Sequence, residues 1–326
     1  MEKGCVVCEL CPHGCRLQPG QTGICRTRTH NDGQLISTAY GKACALHVDP
    51  VEKKPLYHFL PGTQCLSIAM AGCNLRCLNC QNHEISQHAP SDIDSIPLAP
   101  AAAVEQALSK SCASIAYTYT DPVAYYDYML DTARLARQAG LKNLLVSAAY
   151  INPKPLAALI PFLDAANIDI KSFDEGVCRR LSGIRLQPVL NNLLRLMMSD
   201  VWLEITYLLI PGYSDAEESL QKFFAWLVKN GFSQVPLHLN RFVPNHRLMG
   251  IASTPLEQLL GTAEAALTAG MHYVYVGNIG SSKYSHSYCR HCKAVLIQRQ
   301  AYRITSKLEN GLCSQCGRAP EGVYKY

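Results

Sequence analysis

The sequence predicts an α/β fold, a partial barrel of the (βα)6 type with a small metal-stapled module at each end. Three observations support this prediction. Short apolar segments alternate with amphipathic ones between residues 64 and 276, which is typical of parallel strands joined by helices. The chain has 326 residues, 48% of them hydrophobic, which suffices for one large core with appendages. Most of its 16 cysteines fall into three tight groups.

The core elements are expected in strict alternation. We predict strands at residues 64–71, 114–119, 141–147, 167–171, 201–209, 235–241 and 272–276. We predict helices at residues 99–111, 122–138, 155–166, 188–198, 216–229 and 255–268. Six or seven such units suit an incomplete TIM-like barrel, in which chemistry lies at the C-terminal ends of the strands.

The cysteine groups divide the chain into three parts. Residues 1–60 are predicted to form a cysteine-rich metal module and linker, 61–285 the core barrel, and 286–326 a module of the zinc-ribbon or rubredoxin type. In a reducing compartment clustered cysteines indicate metal rather than disulfides. The N-terminus shows no apolar signal region and no apolar run is long enough to span a membrane, so we expect a cytoplasmic protein. A net charge of +5 permits a nucleic-acid partner without indicating one.

A three-cysteine motif directly follows the first core strand. Cys73, Cys77 and Cys80 have the spacing C-x3-C-x2-C. An iron–sulfur cluster usually takes four thiolates, so three leave one iron with an open position. S-adenosylmethionine (SAM) can chelate that iron, and an electron can then break a carbon–sulfur bond. The alternative is a zinc site completed by His83.

The residues around this motif resemble the radical SAM superfamily. The string Ala-Gly-Cys-Asn-Leu-Arg-Cys-Leu-Asn-Cys-Gln-Asn-His-Glu-Ile-Ser resembles the branch related to pyruvate formate-lyase activating enzymes. The segment Cys-Pro-His-Gly-Cys-Arg-Leu, residues 50–62 and the cysteine-rich tail are similar to the AmmeMemoRadiSam system radical SAM enzymes. That similarity covers nearly the whole chain. One departure is Asn79, because the superfamily often has an aromatic residue there, near the adenine.

The resemblance implies an activity and its partners. A [4Fe–4S] cluster would cleave SAM reductively to a 5′-deoxyadenosyl radical, which abstracts hydrogen from a substrate that the sequence does not identify. A low-potential electron donor of the flavodoxin or ferredoxin type is implied, as are AMMECR-type and Memo-type partner proteins. No catalytic residue beyond the cluster ligands is assigned.

A polar segment follows the second predicted strand and contains Thr118, Thr120 and Asp121. Helix capping by Asp121, with Pro122 at the first helical position, would explain this segment by itself. The resemblance offers another interpretation, since the superfamily's Gly-Gly-Glu segment at this place contacts the SAM amino group. The related branch has Thr-Tyr-Thr-Glu-Pro, whereas this chain has aspartate in place of glutamate. A residue can serve both purposes.

Three further strands carry candidate SAM contacts. Asp169 and Lys171 alternate with isoleucines, which places the charged pair on the inner face as an ion pair or, by resemblance, beside the SAM carboxylate. Ser147 ends the third strand, although the family's following Asn-Gly is replaced here by two alanines. His238 is either a satisfied core histidine or, by similarity to the family's His-x-x-Arg-Phe segment, a site residue.

The terminal cysteine groups predict two further metal sites. In the tail, Cys289, Cys292, Cys313 and Cys316 have zinc-ribbon spacing, which indicates a closed structural site, although rubredoxin-like iron is an alternative. Near the N-terminus, Cys8, Cys11, Cys15 and Cys25 match the family's closed set. There the residues favour a structural metal, zinc before iron–sulfur. Cys5 with the first three of them also resembles the first half of a ferredoxin motif.

Three functions are compatible with these features. The first is a modification enzyme that works with AMMECR-type and Memo-type proteins. The second is an activase that installs a glycyl radical on a partner enzyme. The third is a non-catalytic zinc-binding protein whose ribbons hold RNA or protein.

Overall fold

A computed structural model describes residues 4–325 and shows a mixed α/β fold around one nine-stranded sheet. The strands are Val6–Val7 (β1), Arg16–Leu17 (β2), Arg28–Asn31 (β3), Gln34–Ser37 (β4), Lys42–Pro50 (β5), Gln64–Met70 (β6), Ile96–Pro97 (β7), Ser114–Tyr117 (β8), Lys142–Ser147 (β9), Ala165–Ile170 (β10), Trp202–Leu209 (β11), Leu237–Arg241 (β12), Val274–Gly277 (β13), Ser287–Tyr288 (β14), Val295–Gln300 (β15), Arg303–Ser306 (β16), Leu308–Glu309 (β17) and Leu312–Cys313 (β18).

Within the described residues, eight α-helices and several short 3-10 helices connect these strands. The α-helices are His83–Ser86 (α1), Pro100–Ser109 (α2), Tyr126–Gln138 (α3), Pro153–Leu159 (α4), Glu175–Ser182 (α5), Leu186–Met197 (α6), Glu217–Lys229 (α7) and Leu256–Thr268 (α8). The 3-10 helices are Val51–Lys53, Pro122–Tyr125, Ile160–Phe162, Phe232–Gln234, His246–Leu248 and Lys283–Ser285. None of the helices within residues 4–325 combines the length and apolar character needed to cross a membrane.

The central sheet is mainly parallel, as the alternation of strands and helices predicts. Its order is β13-β12-β11-β10-β9-β8-β6-β5-β7, and the seven strands from β13 to β6 in this order run parallel. The two remaining strands are antiparallel, β5 to β6 and β7 to β5. The described sheet is open, with β13 and β7 at its edges. The finer prediction, that this sheet curves into a TIM-like partial barrel, stays a prediction.

The helices bury one apolar face against this sheet. In α7 the buried residues are Leu220, Phe223, Phe224 and Leu227, whose spacing of three and four places them on one side of the helix. Phe223 stacks on Tyr207 of β11 at a ring distance of 5.0 Å. Such contacts hold each helix over the strand it follows and therefore fix where the loops after the strands emerge.

Several elements differ from the prediction. The expected helix at residues 122–138 begins as the 3-10 turn Pro122–Tyr125 and becomes α-helical only at α3. The last core strand starts at Val274, two residues later than expected. Strand β5 and helix α5 were not predicted, because β5 depends on a non-local pairing and α5 is a short segment that contains Gly176.

The two ends of the chain pack differently. Near the N-terminus β1–β2 and β3–β4 form two small antiparallel pairs, and Cys11 belongs to the same hydrophobic cluster as the core strands. Near the C-terminus β14–β16 form a sheet of their own, with a separate cluster of Cys289, Leu296, Ile297 and Cys313. The C-terminal segment returns to the core, where Val323 pairs with Phe59.

Candidate active site

A cleft of about 720 Å³ lies at the C-terminal ends of the parallel strands, a volume in the range of small-molecule sites. The loops after β6 and β8 and the ends of β9 and β10 line it. The structure brings together here nine residues singled out in the sequence: Cys73, Cys77, Cys80, Thr118, Thr120, Asp121, Ser147, Asp169 and Lys171. Parallel strands end at the same edge of a sheet, which is why segments far apart in sequence meet in this cleft.

A tight turn at Gly72 leads from β6 into the cysteine loop. Its φ of +91° lies in the region that favours glycine, and a β-carbon there would lie 2.6 Å from the Cys25 carbonyl oxygen and 2.5 Å from Thr27 Cγ2. The close approach allows the Cys73 amide to donate to the Cys25 carbonyl at 3.2 Å. The N-terminal segment therefore supports the first cysteine of the central motif directly.

The three central sulfurs each have a hydrogen-bonding neighbour. The Leu75 amide donates to Cys73 Sγ at 3.4 Å. Cys77 Sγ lies 3.3 Å from Ser182 Oγ at the end of α5, and Cys80 Sγ lies 3.1 Å from Ser86 Oγ. A thiolate can only accept hydrogen bonds, so both hydroxyls would donate to the sulfurs once the cysteines bind a metal. Neither serine was singled out in the sequence, because only the folded loops bring them to the sulfurs.

Sulfur spacing bears on what the three cysteines can hold. Within residues 4–325, one group alone has three or more His, Cys, Asp or Glu ligand atoms all within 4.8 Å of one another, and it does not include Cys73, Cys77 or Cys80. Around a single tetrahedral zinc the sulfurs would stand about 3.8 Å apart. The zinc alternative also uses His83, whose ring instead stacks on His246 at 4.4 Å. A cluster does not need the compact spacing of a single-ion site, because separate iron atoms take its thiolates.

Asp121 both caps a turn and connects two loops. Its carboxylate accepts from the Val123 amide at 3.1 Å, from the Ala148 amide at 2.9 Å and from Ser147 Oγ at 2.9 and 3.0 Å. Burial raises the pKa of this carboxyl, and the amide hydrogen bonds oppose the shift. A carboxylate has about four acceptor positions and the Ser147 hydroxyl has a single hydrogen, so one position remains for a ligand.

The two threonines of the same segment are buried at the base of the cleft. Thr120 Oγ1 donates to the Met70 carbonyl at 2.8 Å, and the Thr118 amide donates to the Ile68 carbonyl at 3.1 Å. Thr120 therefore uses its hydroxyl hydrogen to tie this loop to the end of β6. Its oxygen retains acceptor capacity toward the cleft.

Asp169 and Lys171 form an ion pair on the inner side of β10. Lys171 Nζ lies 2.5 Å from Asp169 Oδ2, while Ile168 and Ile170 are buried on the other side, as the alternation predicts. Burial lowers the pKa of Lys171, but the Asp169 carboxylate and the Cys77 sulfur outweigh it and raise the pKa overall. Asp169 Oδ1 is buried and has no hydrogen-bond partner among the described residues. An orphaned acceptor that lines a cleft is suited to a ligand donor.

A further polar cluster that lines the cleft was not anticipated from the sequence. Asp49, at the end of β5, accepts from Lys53 Nζ and Lys54 Nζ at 2.8 Å each and from the Tyr119 hydroxyl. Burial raises the pKa of Asp49, but these three donors outweigh it and hold the pKa well below its usual range. The ammonium of Lys54 also lies 4.7 Å from the centre of the Tyr119 ring. The signal in the sequence was weak, because residue 49 immediately precedes the stretch 50–62 and its strand was not predicted.

His238 is not brought to the cleft. It is the second residue of β12, so it lies near the N-terminal end of its strand, away from the edge where the cleft opens. Its Nε2 is 2.6 Å from Glu204 Oε2, and both side chains are buried. Glu204 also accepts from the amides of Tyr57 and His58 at 2.9 and 2.7 Å. Three residues of β12 follow His238 before the strand ends, so the histidine does not reach the cleft, and its hydrogen bond to Glu204 agrees with the alternative of a satisfied core residue.

The four tail cysteines form the compact metal-binding group. The sulfurs of Cys289, Cys292, Cys313 and Cys316 all lie within 4.8 Å of one another, with Cys289–Cys316 and Cys292–Cys313 separations of 3.6 Å. This matches the separation of about 3.8 Å expected around one tetrahedral ion. Burial raises the pKa of Cys289, but amide hydrogen bonds from Cys292 and His291 outweigh it and lower the pKa to about 7.

The four N-terminal cysteines also meet in space, but less tightly. Cys8, Cys11, Cys15 and Cys25 all line one small enclosed cavity. No three of their sulfurs satisfy the 4.8 Å spacing that the tail group meets within the described chain. The sequence prediction that these four act together is compatible with this arrangement, while the kind of metal is a separate question.

Comparison with known proteins identifies proteins that are similar to this chain. The profile of the radical SAM superfamily matches residues 67–224. The uncharacterized protein MJ0808 of Methanocaldococcus jannaschii is 38% identical over 318 residues, which cover 96% of this chain and 94% of that protein. The 4-hydroxyphenylacetate decarboxylase activating enzyme of Clostridium scatologenes is 21% identical over 38% of this chain. The isethionate sulfite-lyase activating enzyme of Nitratidesulfovibrio vulgaris is 26% identical over 39%. The chain spans 40% of the length of each activating enzyme.

Solved structures share the fold at low sequence identity. A radical SAM methyltransferase from Sphaerobacter thermophilus superposes with a TM-score of 0.50 at 12% identity, covering 66% of this chain and 65% of that one. SuiB from Streptococcus suis also gives 0.50, at 11% identity, covering 69% of this chain and 52% of that one. These likenesses concern the fold alone.

Proposed function

This chain belongs to the radical SAM superfamily, and we propose that it cleaves SAM reductively and uses the resulting 5′-deoxyadenosyl radical to abstract hydrogen from a substrate. One observation carries the proposal: Cys73, Cys77 and Cys80 share a single cleft with six other polar residues from three further strand ends. A three-thiolate cluster with SAM bound supplies the electron and the radical.

The residues of the cleft are suited to hold the cluster and SAM. The cysteines would bind the cluster, and the hydroxyls of Ser86 and Ser182 would donate to its thiolates. Lys171 remains a cation and would attract the SAM carboxylate, while the free Asp169 Oδ1 would accept from a donor of SAM. Asp121, nearly saturated, would mainly hold the loops after β8 and β9 in place.

One polar wall of the cleft is formed by Asp49, Lys53, Lys54 and Tyr119 and would be available to a substrate. Asp49 accepts from the Tyr119 hydroxyl and forms an ion pair with Lys54, so this wall is polar and internally hydrogen-bonded. Lys53 pairs with the same carboxylate but is about half exposed, with 47% of its side chain accessible. A substrate with a negatively charged group would find its cation at this wall.

The assay follows the cleaved cofactor. Protein reconstituted with iron and sulfide, then treated with dithionite and SAM, is expected to yield 5′-deoxyadenosine and methionine. Cys77→Ala should abolish this product and leave the metal content of the tail unchanged. The matched control is Cys112→Ala, since Cys112 is buried outside the cleft and both terminal groups. Continued SAM cleavage by Cys77→Ala would falsify the ligand assignment. Protein without iron or labile sulfide after anaerobic purification would instead favour the zinc-only binding protein.

Two substrate hypotheses lead to different experiments. Similarity over nearly the whole chain favours a modification enzyme acting with AMMECR-type and Memo-type proteins, and adding those proteins should convert abortive SAM cleavage into coupled turnover. The two activating enzymes among the relatives favour a glycyl-radical activase. In that case a glycine-centred radical should appear on a co-encoded partner enzyme in electron paramagnetic resonance spectra.

A further inference from the structure

The N-terminal cysteine site shares more with the central cleft than with the tail. Cys8, Cys11 and Cys25 are buried, Cys15 is half-buried, and all four line one enclosed cavity. None of them forms a disulfide. Four free thiols that line one enclosed cavity are typical of a metal site. An ordinary empty cavity of a protein core is instead lined by hydrocarbon side chains.

The spacing of the sulfurs distinguishes between classes of metal. In the tail, four sulfurs stand within 4.8 Å of one another, as one tetrahedral ion requires. The N-terminal four line their cavity, but among the described residues no three of their sulfurs form such a compact group, and the three central cysteines do not form one either. A cluster accommodates wider spacing because its thiolates bind different iron atoms.

One donor of the cavity wall is free to face bound thiolates, while a nearby hydroxyl is not. Thr27 Oγ1 lies 3.2 Å from Cys25 Sγ, but its single hydrogen goes to the Ala124 carbonyl at 2.6 Å. Arg28 lines the cavity, and its Nε is buried without a hydrogen-bond partner among the described residues. Hydrogen bonds and positive charge near the sulfurs stabilise an anionic iron–sulfur centre and tune its potential.

We propose that Cys8, Cys11, Cys15 and Cys25 bind a second iron–sulfur cluster, and not the structural zinc ion that the sequence analysis favoured. The Cys73 amide donates to the Cys25 carbonyl at 3.2 Å, so a backbone hydrogen bond links a ligand of this site to a ligand of the central one. The proposed cluster site therefore lies beside the cleft. Its ligand Cys11 is one of the buried residues of the main hydrophobic cluster.

The test uses full-length protein in which the central site has been removed. The triple variant Cys73→Ala, Cys77→Ala, Cys80→Ala cannot hold the central cluster, so its metal content reports on the two ends whether or not SAM is cleaved by the native protein. After anaerobic reconstitution we expect iron and acid-labile sulfide in about equal amounts, about two to four of each per chain. Adding Cys11→Ala should reduce both to background, whereas adding Cys5→Ala should not, because Cys5 does not line the cavity.

Labile sulfide separates this proposal from its alternatives. Iron without sulfide would be a rubredoxin-like ion, and a second zinc ion per chain without sulfide would be a structural zinc site; either result overturns the proposal. If Cys11→Ala does not fold, native mass spectrometry of the triple variant gives the same answer. The mass of a cluster bound to residues 8–25 is expected, and single metal ions alone would contradict it.

Discussion

The two terminal cysteine groups each offer four thiols, yet they differ in spacing and in what they pack against. The tail sulfurs crowd together, and two of the tail cysteines are exposed. The N-terminal four surround a cavity and join the main core, where Cys25 contacts Cys73. The tail has its own small hydrophobic cluster and pairs through Val323 with Phe59, which does not line the cleft. The comparison shows that the number of cysteines does not by itself determine the role of a metal site. The distances between the sulfur atoms and the packing of the site against the core also determine it.

The largest loss of stability is expected for a substitution at the contact between the N-terminal cysteine segment and the loop that carries the central cysteines. Gly72→Ala would add left-handed strain and a clash with the Cys25 carbonyl, together about 4 kcal/mol of unfolding free energy. The matched control is Gly20→Ala, because Gly20 has φ +80° but no atom within 4 Å of the position that its β-carbon would occupy. Strain alone should cost Gly20→Ala about 1 kcal/mol.

Urea unfolding and iron analysis check this prediction. Gly72→Ala should also lose iron from both the central and the N-terminal site, while Gly20→Ala should keep it. Equal losses of stability in the two variants would show that the contact between the segments does not matter, and the contrast between the two ends of the chain would fail.

A smaller effect is expected where the tail attaches to the core. Arg299 of β15 is fully buried, donates to the Tyr57 carbonyl at 2.6 Å and to Ser287 Oγ at 2.8 Å, and stacks on the Tyr57 ring at 4.1 Å. Arg299→Met would leave these acceptors and the nearby Glu52 without their cation, at a cost of about 3 kcal/mol. Arg303→Met, at an exposed position of β16, should change stability by less than about 0.5 kcal/mol.

Limited proteolysis locates this loss. We expect the tail of Arg299→Met to be cleaved first, with 5′-deoxyadenosine formation in the remaining protein close to that of the native chain. If Arg299→Met lost SAM cleavage while its tail stayed as resistant to protease as that of the native chain, the conclusion that the tail and the cleft are structurally separate would be contradicted.

The smallest expected effect is a pH dependence of stability that arises from His58, where the tail contacts the core. His58 Nδ1 donates to the Glu321 carbonyl at 2.7 Å and lies 2.9 Å from the Tyr324 hydroxyl, and Nε2 is hydrogen-bonded to the Tyr275 hydroxyl. Burial lowers the pKa of His58 to about 4. As pH falls, the unfolded chain binds a proton at about 6.5 while the folded chain stays neutral until about 4, so stability is lost in this window. Between pH 7 and pH 5 the loss should be about 2 kcal/mol.

Urea titrations at both pH values measure this loss, and His58→Asn serves as the reference. The variant should show a smaller drop between pH 7 and pH 5 by about 2 kcal/mol. Glu204 acts in another range, because burial raises the pKa of this acid but the His238 hydrogen bond outweighs it and lowers the pKa, so that its contribution is lost only at more acidic pH. Identical pH profiles for both proteins would rule out His58 as the source.

Much of the fold was predictable because the core signals are local. All seven expected core strands occur, since apolar runs such as residues 201–209 and proline-initiated helices specify their own structure. Nine candidate residues meet in one cleft because parallel strands place their C-terminal ends together. The strand β5 was missed because its pairing with β6 is long-range, and with it the Asp49 cluster.

Other features depend on distances that the sequence does not contain. His238 lies three residues before the end of β12, and only the folded loops show that the cleft does not extend to that depth. The spacing of cysteines along the sequence identified each group. The distances between their sulfur atoms depend instead on how loops such as residues 23–28 pack. The kind of metal is therefore a three-dimensional property.

The contact between Gly72 and the Cys25 carbonyl has a consequence for sequence divergence. A side chain at position 72 would occupy the space of the backbone at position 25 and of the Thr27 methyl group. In a lineage that loses the N-terminal cysteines, that backbone would be free to move and the glycine requirement would relax. We therefore expect positions 25, 27 and 72 to covary among homologues, so that larger residues before the first central cysteine accompany a shortened or rewritten N-terminal segment.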